Sequence, residues 1–372
     1  MSPRENEKPR RRKKEHYFDY SLLFIIIFLV CFGLVMIYST SSYNGQIKAG
    51  DSAFYLKKQL MATSLGIVAM LIISRIDYHF WERFTLLAFL LAHVLSAAVL
   101  FVGTDYNGSK RWLYIGPLSF QPSEFAKLAV ILFLALVISK VSKNIKKFRT
   151  MILVIILCLP IVALVGVNNL STAIIILGIA VVLIFVASPK YLQFIIIGLG
   201  GIAFMGIFIY LEQYRAERLK IWLHPEAYDK GYQTLQGLYA IGSGGILGKG
   251  LGQSMQKLGF VPEAQNDMIF SIICEELGLF GAVSLILLFM LMIWRFMIIA
   301  NNAPDLYGSL IVVGIMGHIA IQVILNIAVV TNSIPNTGIT LPFISYGGTS
   351  ALFLLSEMGL ALSVSRQVKL EQ

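Results

Sequence analysis

The chemical group that stands out most in this chain is an aspartate at the edge of a hydrophobic stretch. In Val261-Pro262-Glu263-Ala264-Gln265-Asn266-Asp267-Met268-Ile269-Phe270, Asp267 stands where polar sequence gives way to an apolar run. A carboxylate there can cap a helix, a place where Asp is favoured, or take a proton as a general base. The helix dipole would lower its pKa, whereas partial burial or the neighbouring Glu263 would raise it. A second acid, Glu124, opens another apolar run as Pro122-Ser123-Glu124-Phe125-Ala126-Lys127. Pro122 suits a first helical position and Glu124 the positive end of the dipole. Glu124 and Lys127, three residues apart, share a helix face. They form either an ion pair that eases membrane insertion or a pair that binds substrate. Lys110-Arg111-Trp112 precedes them, and Arg215, Arg218 and Lys220 follow in a long polar segment. Such groups anchor helix ends at a membrane surface or seat a phosphate, for which the arginine fork is suited.

Other candidates carry less. The run Gly242–Gly252, GSGGILGKGLG, fails the phosphate-loop pattern because Gly248-Lys249 is followed by Gly250. Its glycines read instead as tight turns and close backbone approach in a folded loop. His93 and His318 lie in apolar stretches with no metal partner at a recognisable spacing, so they read as core or helix–helix hydrogen-bonding groups. Glu275 and Glu276 follow Asp267 inside the apolar run, and at least one of them must face protein or a water cavity. Cys31, Cys158 and Cys274 have no ligand spacing and read as small buried hydrophobes.

The elements that must position these groups are membrane helices. The chain is 57% hydrophobic and 13% charged, against about 25% charged in soluble domains. Soluble enzyme, fibrous protein and disulfide-stapled secreted domain are excluded. The net charge of +10 belongs to topology and not to nucleic-acid binding. Residues 1–19 form a polar, basic tail with disordered composition, and residues 20–372 a single transmembrane domain. Charges delimit the spans. They fall near Tyr20–Ser41, Lys58 to Arg75, Arg83 to Asp105 and Phe125–Ile138. Two more lie between Arg149 and Lys190, divided by Val167-Asn168-Asn169-Leu170-Ser171-Thr172. A seventh runs from Lys190 to Glu212 and an eighth from Leu277 to Trp294. The last two flank an irregular stretch at Pro335–Gly348. The expectation is an all-α polytopic membrane protein of about ten transmembrane helices. Lys and Arg crowd the segments that share a side with the basic tail, which makes both termini cytoplasmic. The long loop between helices 7 and 8, about 211–265, is then extracytoplasmic, as are Asp105–Ser123 and Thr331–Gly348.

Four segments resemble the SEDS family (shape, elongation, division and sporulation) of bacterial membrane peptidoglycan polymerases. They are Lys110-Arg111-Trp112 with Gln121-Pro122-Ser123-Glu124, Gly248–Gln256, Pro262–Gly278, and Thr337–Gly348. The likeness runs from about Asp19 to Ser365. The opening Asp19–Leu23 and Gly33–Ser39, with Gln256-Lys257 and Pro262-Glu263-Ala264, look closest to the division member of the family or its sporulation relative. One departure is Asn168-Asn169-Leu170-Ser171, where many members carry a Pro-Asp-Leu-Gly type turn. The resemblance implies a glycosyltransferase that polymerises lipid II at the outer face of the bacterial cytoplasmic membrane. It places the essential aspartate on Asp267 and the functional Trp, Glu and Lys on Trp112, Glu124 and Lys127. Lys110, Arg111, Arg215 and Arg218 become candidates for the leaving diphosphate, with or without a divalent cation (Mg or Mn). The implied partners are a class B penicillin-binding protein, the growing glycan strand and other divisome proteins. The rival readings are a lipid II flippase and a divisome scaffold without activity.

Overall fold

The computed structural model describes residues 17–106, 109–115, 118–188, 190–196, 198–199 and 219–368. Nine described helices are long and apolar enough to cross a membrane. In chain order the elements begin with α1 (Tyr20–Ala49), α2 (Phe54–Arg75), a short α3 (Tyr78–Glu82) and α4 (Thr85–Val102). Strands β1 (Thr104–Tyr106), β2 (Ser109–Ile115) and β3 (Leu118–Phe120) follow, then α5 (Pro122–Lys140), α6 (Phe148–Gly166) and α7 (Leu170–Ala187). After them come α8 (Tyr232–Ser243), α9 (Ile269–Asn301), α10 (Leu306–Val330) and α11 (Gly348–Ser365). The span expected at Lys190–Glu212 falls largely outside the described residues, as do the tail residues 1–16.

The two described chain ends meet on one face. Asp19 caps α1 by accepting from the Leu22 amide at 2.8 Å, and its own amide donates to Ser365 Oγ at 3.4 Å. Arg295, near the end of α9, grips the same carboxylate, with Nη2 2.7 Å from Oδ2. The opposite face carries the segments that join α4 to α5, α6 to α7 and α10 to α11. One of these differs from the sequence expectation. The stretch Asp105–Ser123 contains a three-stranded antiparallel sheet in the order β1-β2-β3, with Thr104 paired to Trp112 and Leu113 to Phe120.

Hydrophobicity does not sort these helices into centre and rim; packing does. The apolar windows of α5, α10 and α11 are 61%, 67% and 78% buried, against 22–28% for α2, α4, α6 and α9. Small residues let backbones close up, as membrane interfaces require. A Cβ on Gly359 of α11 would lie 2.8 Å from the Met70 carbonyl oxygen of α2.

The stretch α9 opens at Ile269 with a piece that the charge pattern does not show, and its spanning piece beyond Gly278 begins close to the Leu277 expected from the charges. Its 33 residues amount to about 50 Å at roughly 1.5 Å per residue, beyond the ~30 Å of a hydrocarbon slab. The helix is broken at Gly278, with φ 66° and ψ −166°. The glycine-rich segment after α8 fills that break. Lys249 and Gly250 donate to the Glu275 and Glu276 carbonyls at 2.9 Å each, and Leu279 and Phe280 donate to Gly245 and Ile246 at 2.9 and 3.0 Å. The close-approach reading of these glycines therefore holds. A Cβ on Gly248, at φ +80°, would sit 2.2 Å from the Glu276 carbonyl oxygen. Gly248→Ala is expected to cost about 1–3 kcal/mol of stability through backbone strain and contact. A thermal melt in detergent equal to the parent's would refute this docking.

Candidate functional site

Asp267 sits in the turn that leads into α9. Met268 is the capping residue and makes no side-chain cap bond, so the cap role expected from the residue type is not what Asp267 performs. The carboxylate is buried, with Gln233 Nε2 of α8 donating to Oδ1 at 3.4 Å. Gln233 is itself held by Asn336 Nδ2, which donates to its Oε1 at 3.3 Å. The close approach of the 337–341 segment is visible at Gly338, where a Cβ would lie 3.9 Å from Asp267 Oδ2. Burial, and then the charge of Glu263, push the Asp267 carboxyl up to about 7, against the pull of backbone amides and Gln233. Of the opposing influences weighed from sequence, desolvation wins. The backbone is fixed too: Asn326 of α10 donates to the Asp267 carbonyl at 2.9 Å and to the Ile339 carbonyl at 2.7 Å.

From Asn326 a polar stripe descends α10 at Gln322 and His318, one turn apart each. Gln322 Oε1 accepts from Lys127 Nζ at 3.2 Å and lies 2.9 Å from His318 Nε2. Its Nε2 donates to the Thr340 carbonyl at 3.0 Å. His318 Nδ1 pairs with Glu357 Oε2 of α11 at 2.8 Å. Lys127 also meets Glu124 Oε1 at 3.0 Å, and both side chains are under 10% exposed. The i,i+3 pair expected from sequence therefore exists, and it belongs to a buried column that reaches from the loop face into the membrane core. Glu124 Oε2 and Glu357 Oε1 are buried without a protein partner. The column places Lys127 below Asp267 along α10, and the two are linked through Gln322 and Asn326 without touching.

The sheet brings the outer cations to the head of α5. Lys110 and Arg111 of β2 line one pocket with Pro122, Ser123 and the Asn168–Asn169 turn between α6 and α7. Arg111 Nε donates to the Asn168 carbonyl at 2.9 Å, and Asn168 Nδ2 donates to the Lys110 carbonyl at 2.8 Å. Asn169 caps α7 through the Thr172 amide at 3.2 Å. The atypical Asn pair thus pins β2 and starts α7 without any acid. Trp112 is half-buried in β2. Arg215 and Arg218 lie outside the described residues.

Glu275 and Glu276 are both buried and both paired, one more than the sequence demanded. Lys249 Nζ lies 2.7 Å from Glu275, and Lys257 Nζ lies 2.8 Å from Glu276, which also accepts from Ser39 Oγ at 2.7 Å. His93 bonds the Phe89 carbonyl of its own helix at 2.8 Å, consistent with a core role. Sequence reasoning missed Gln233, Gln322 and Asn326. The spacing of His318, Gln322 and Asn326, four residues apart in an apolar helix, was the available signal for two of them. Among the described residues no three His, Cys, Asp or Glu converge as a metal cage. Glu263, the acid beside Asp267, is turned to the Asn266 amide. The described residues do not make up a metal site by themselves.

These features define a polytopic helical membrane protein with a buried acid near its loop face and a polar column beneath it. A family model for cell cycle proteins, FtsW/RodA/SpoVE, matches residues 20–370, and the chain belongs to that family. It is 42% identical over 363 residues to stage V sporulation protein E of Bacillus subtilis (strain 168), covering 94% of this chain and 97% of that protein. It is 35% identical over 366 residues to the probable peptidoglycan glycosyltransferase FtsW of Geobacter sp. (strain M18), covering 96% and 99%. Among solved structures, a chain from a study of polymerization and crosslinking by a peptidoglycan synthase complex matches with TM-score 0.79. The identity is 29%, over 94% of this chain and 98% of that one. The rod shape determining protein RodA of Thermus thermophilus matches with TM-score 0.69 at 27% identity, over 95% and 98%.

Proposed function

We propose that this chain is a peptidoglycan glycosyltransferase that polymerises lipid II on the loop face of the membrane, which is the extracytoplasmic face. The observation that carries this reading is Asp267, a buried carboxyl raised to about 7 where the loop segments converge. A group with that pKa holds its proton loosely near neutral pH, which is where a general base is most effective. Asp267 takes the proton from the C4 hydroxyl of the acceptor GlcNAc. The hydroxyl oxygen forms a bond to C1 of the donor MurNAc, and the C1–O bond to the lipid diphosphate breaks with its electron pair leaving on the diphosphate. Attack opposite the leaving group turns the α-linkage into a β-linkage.

Charge on the leaving diphosphate falls to Lys110 and Arg111, beside the head of α5, with Arg215 and Arg218 as further donors from the long loop. Lys127, Glu124 and Trp112 bind substrate, and the spare oxygen of Glu124 is free of protein donors to accept from a substrate hydroxyl or amide. A divalent cation carried by the substrate diphosphate would neutralise part of its charge. The partner is a class B penicillin-binding protein, a reading supported by the synthase complex that contains a similar chain. The cellular role is division, in a bacterial cytoplasmic membrane with both termini inside. Sporulation is the second reading, favoured by the 42% identity to a sporulation protein.

The purified chain with its transpeptidase partner should make glycan strands from lipid II in detergent. Synthesis by the partner's complex with an Asp267→Asn chain at the parental rate would exclude the reading. Arg111→Lys should also lower turnover, because the ammonium keeps the charge but loses the fork and the Nε bond to Asn168. Parental turnover of the Lys variant would leave bulk charge as the only contribution at that position.

A further inference from the structure

The hydrocarbon layer can be measured against this fold from its own charged landmarks. On the terminal face, Asp19 and Arg295 are locked together. Ser39 lies nineteen residues beyond Tyr20 on α1, and Glu276 lies nineteen residues before Arg295 on α9. The α1 count is about 29 Å of helix at roughly 1.5 Å per residue, close to the ~30 Å hydrocarbon thickness, and the unbroken part of α9 from Leu279 to Arg295 makes about 24 Å of the other. The two measures agree, because Ser39 Oγ donates to Glu276 at 2.7 Å. On α10, Asn326 lies twenty-one residues beyond Asp305, about 32 Å by the same rise. The Ser39–Glu276–Lys257 cluster therefore marks the far boundary of the hydrocarbon.

The break at Gly278 lies on the membrane side of that boundary, and so does the loop docked on it. Four apolar side chains project there: Ile246 is 72% exposed, Leu247 79%, Leu279 60% and Phe280 70%. They continue the exposed face of α9 at Val283, Leu287 and Met290. Irregular backbone at membrane depth is tolerated only when protein satisfies its polar groups. Here the amides of Lys249, Gly250, Leu279 and Phe280 are all bonded across the junction. Lys249 reaches back to Glu275, so its charge is kept out of the apolar surface.

We infer that the segment Gly244–Gly252 is a re-entrant loop whose Ile246–Leu247 tip is inserted among the acyl chains of the loop-side leaflet. Its occupant is the lipid bilayer. The loop thereby couples the position of the break in α9, eleven residues after Asp267, to the membrane surface. This inference is independent of the catalytic reading.

The test is a depth measurement on the full chain in liposomes. A nitroxide is attached to Leu247→Cys, and in a second variant to Ile246→Cys, with the exposed native Cys31 replaced by serine. Collisions with oxygen, which concentrates in hydrocarbon, are compared with collisions with a water-soluble nickel chelate. Labels at Met290→Cys and at the exposed Ser333→Cys serve as membrane and water references. The expected result is an oxygen-to-nickel ratio at both tip positions within about twofold of Met290, with melting temperatures of the tip variants matching the parent. A ratio like that of Ser333 would overturn the inference. Shielding from both reagents only when a single-span partner is present, with nickel access in its absence, would also overturn it and make the patch a protein interface.

Discussion

Replacing Asp267 by Asn is expected to lower lipid II polymerisation by about 10²–10⁴-fold, the usual worth of a placed base. The variant should remain folded. The Gln233 amide that reaches Oδ1 can also reach an amide oxygen, and the Asn326 bond is to the backbone of residue 267. Parental activity should rise with pH through about 7 as the carboxyl ionises, then level off. The same group should make stability depend on pH, and the sign is set by the direction of its shift. The folded protein holds this proton more tightly than the unfolded chain, whose carboxyl has the ordinary value of 3.8. Below about pH 4 both states are protonated and the carboxyl costs nothing. Between about pH 4 and 7 the cost grows, and above 7 it is complete, on the order of 4 kcal/mol. Asp267→Asn should therefore melt higher than the parent at pH 8 and close to it at pH 4. Equal melting differences at the two pH values would remove the desolvated carboxyl, and strand synthesis at the parental rate would remove the base.

Glu124→Ala and Lys127→Ala should each be severely damaging, while the double variant is little worse than either. The two side chains are buried and 3.0 Å apart, so each deletion leaves a charge in the membrane core without its counter-ion. Breaking such a pair costs about 3–5 kcal/mol. Each keeps one neutral partner, Lys127 the Gln322 Oε1 and Glu124 the Ser350 hydroxyl, so the two single changes should be of similar severity. Melting temperature and strand synthesis for the two singles and the double form a complete cycle. Strictly additive losses would show that the residues act separately and that the column is not one unit.

The column explains why function here is carried by groups that a one-dimensional reading finds only in part. Glu124 and Lys127 were legible because i,i+3 spacing is a local rule. Asp267 was legible because a carboxylate at the mouth of an apolar run has few inexpensive roles. The pairing of Glu357 with His318, thirty-nine positions away, follows no local spacing rule. The burial that raises Asp267 is completed by α8, the 337–341 segment and α10, all distant from it in the chain, and only the added push of Glu263 is local.

Hydropathy and charge alone determined the class of the molecule, because the bilayer imposes a length and an apolar content on each span regardless of neighbours. They also located the irregular stretch at Pro335–Gly348 and the turn at Asn168–Asn169, where polar residues interrupt apolar ones. Tertiary structure alone decided which helices are central, since α10 and α9 have similar mean hydropathy, 2.2 and 2.5, but differ from 67% to 28% in burial. It decided that Asp105–Ser123 carries a sheet, although Asn107-Gly108 is a hairpin signal in the sequence. It also decided that α9 starts at Ile269, because the charges of Glu275 and Glu276 are matched by Lys249 and Lys257. A charge count sees two acids that should end a span. The fold supplies their counter-ions from 26 and 19 residues away, and with the charge balanced the chain stays helical through both acids as far as the break at Gly278.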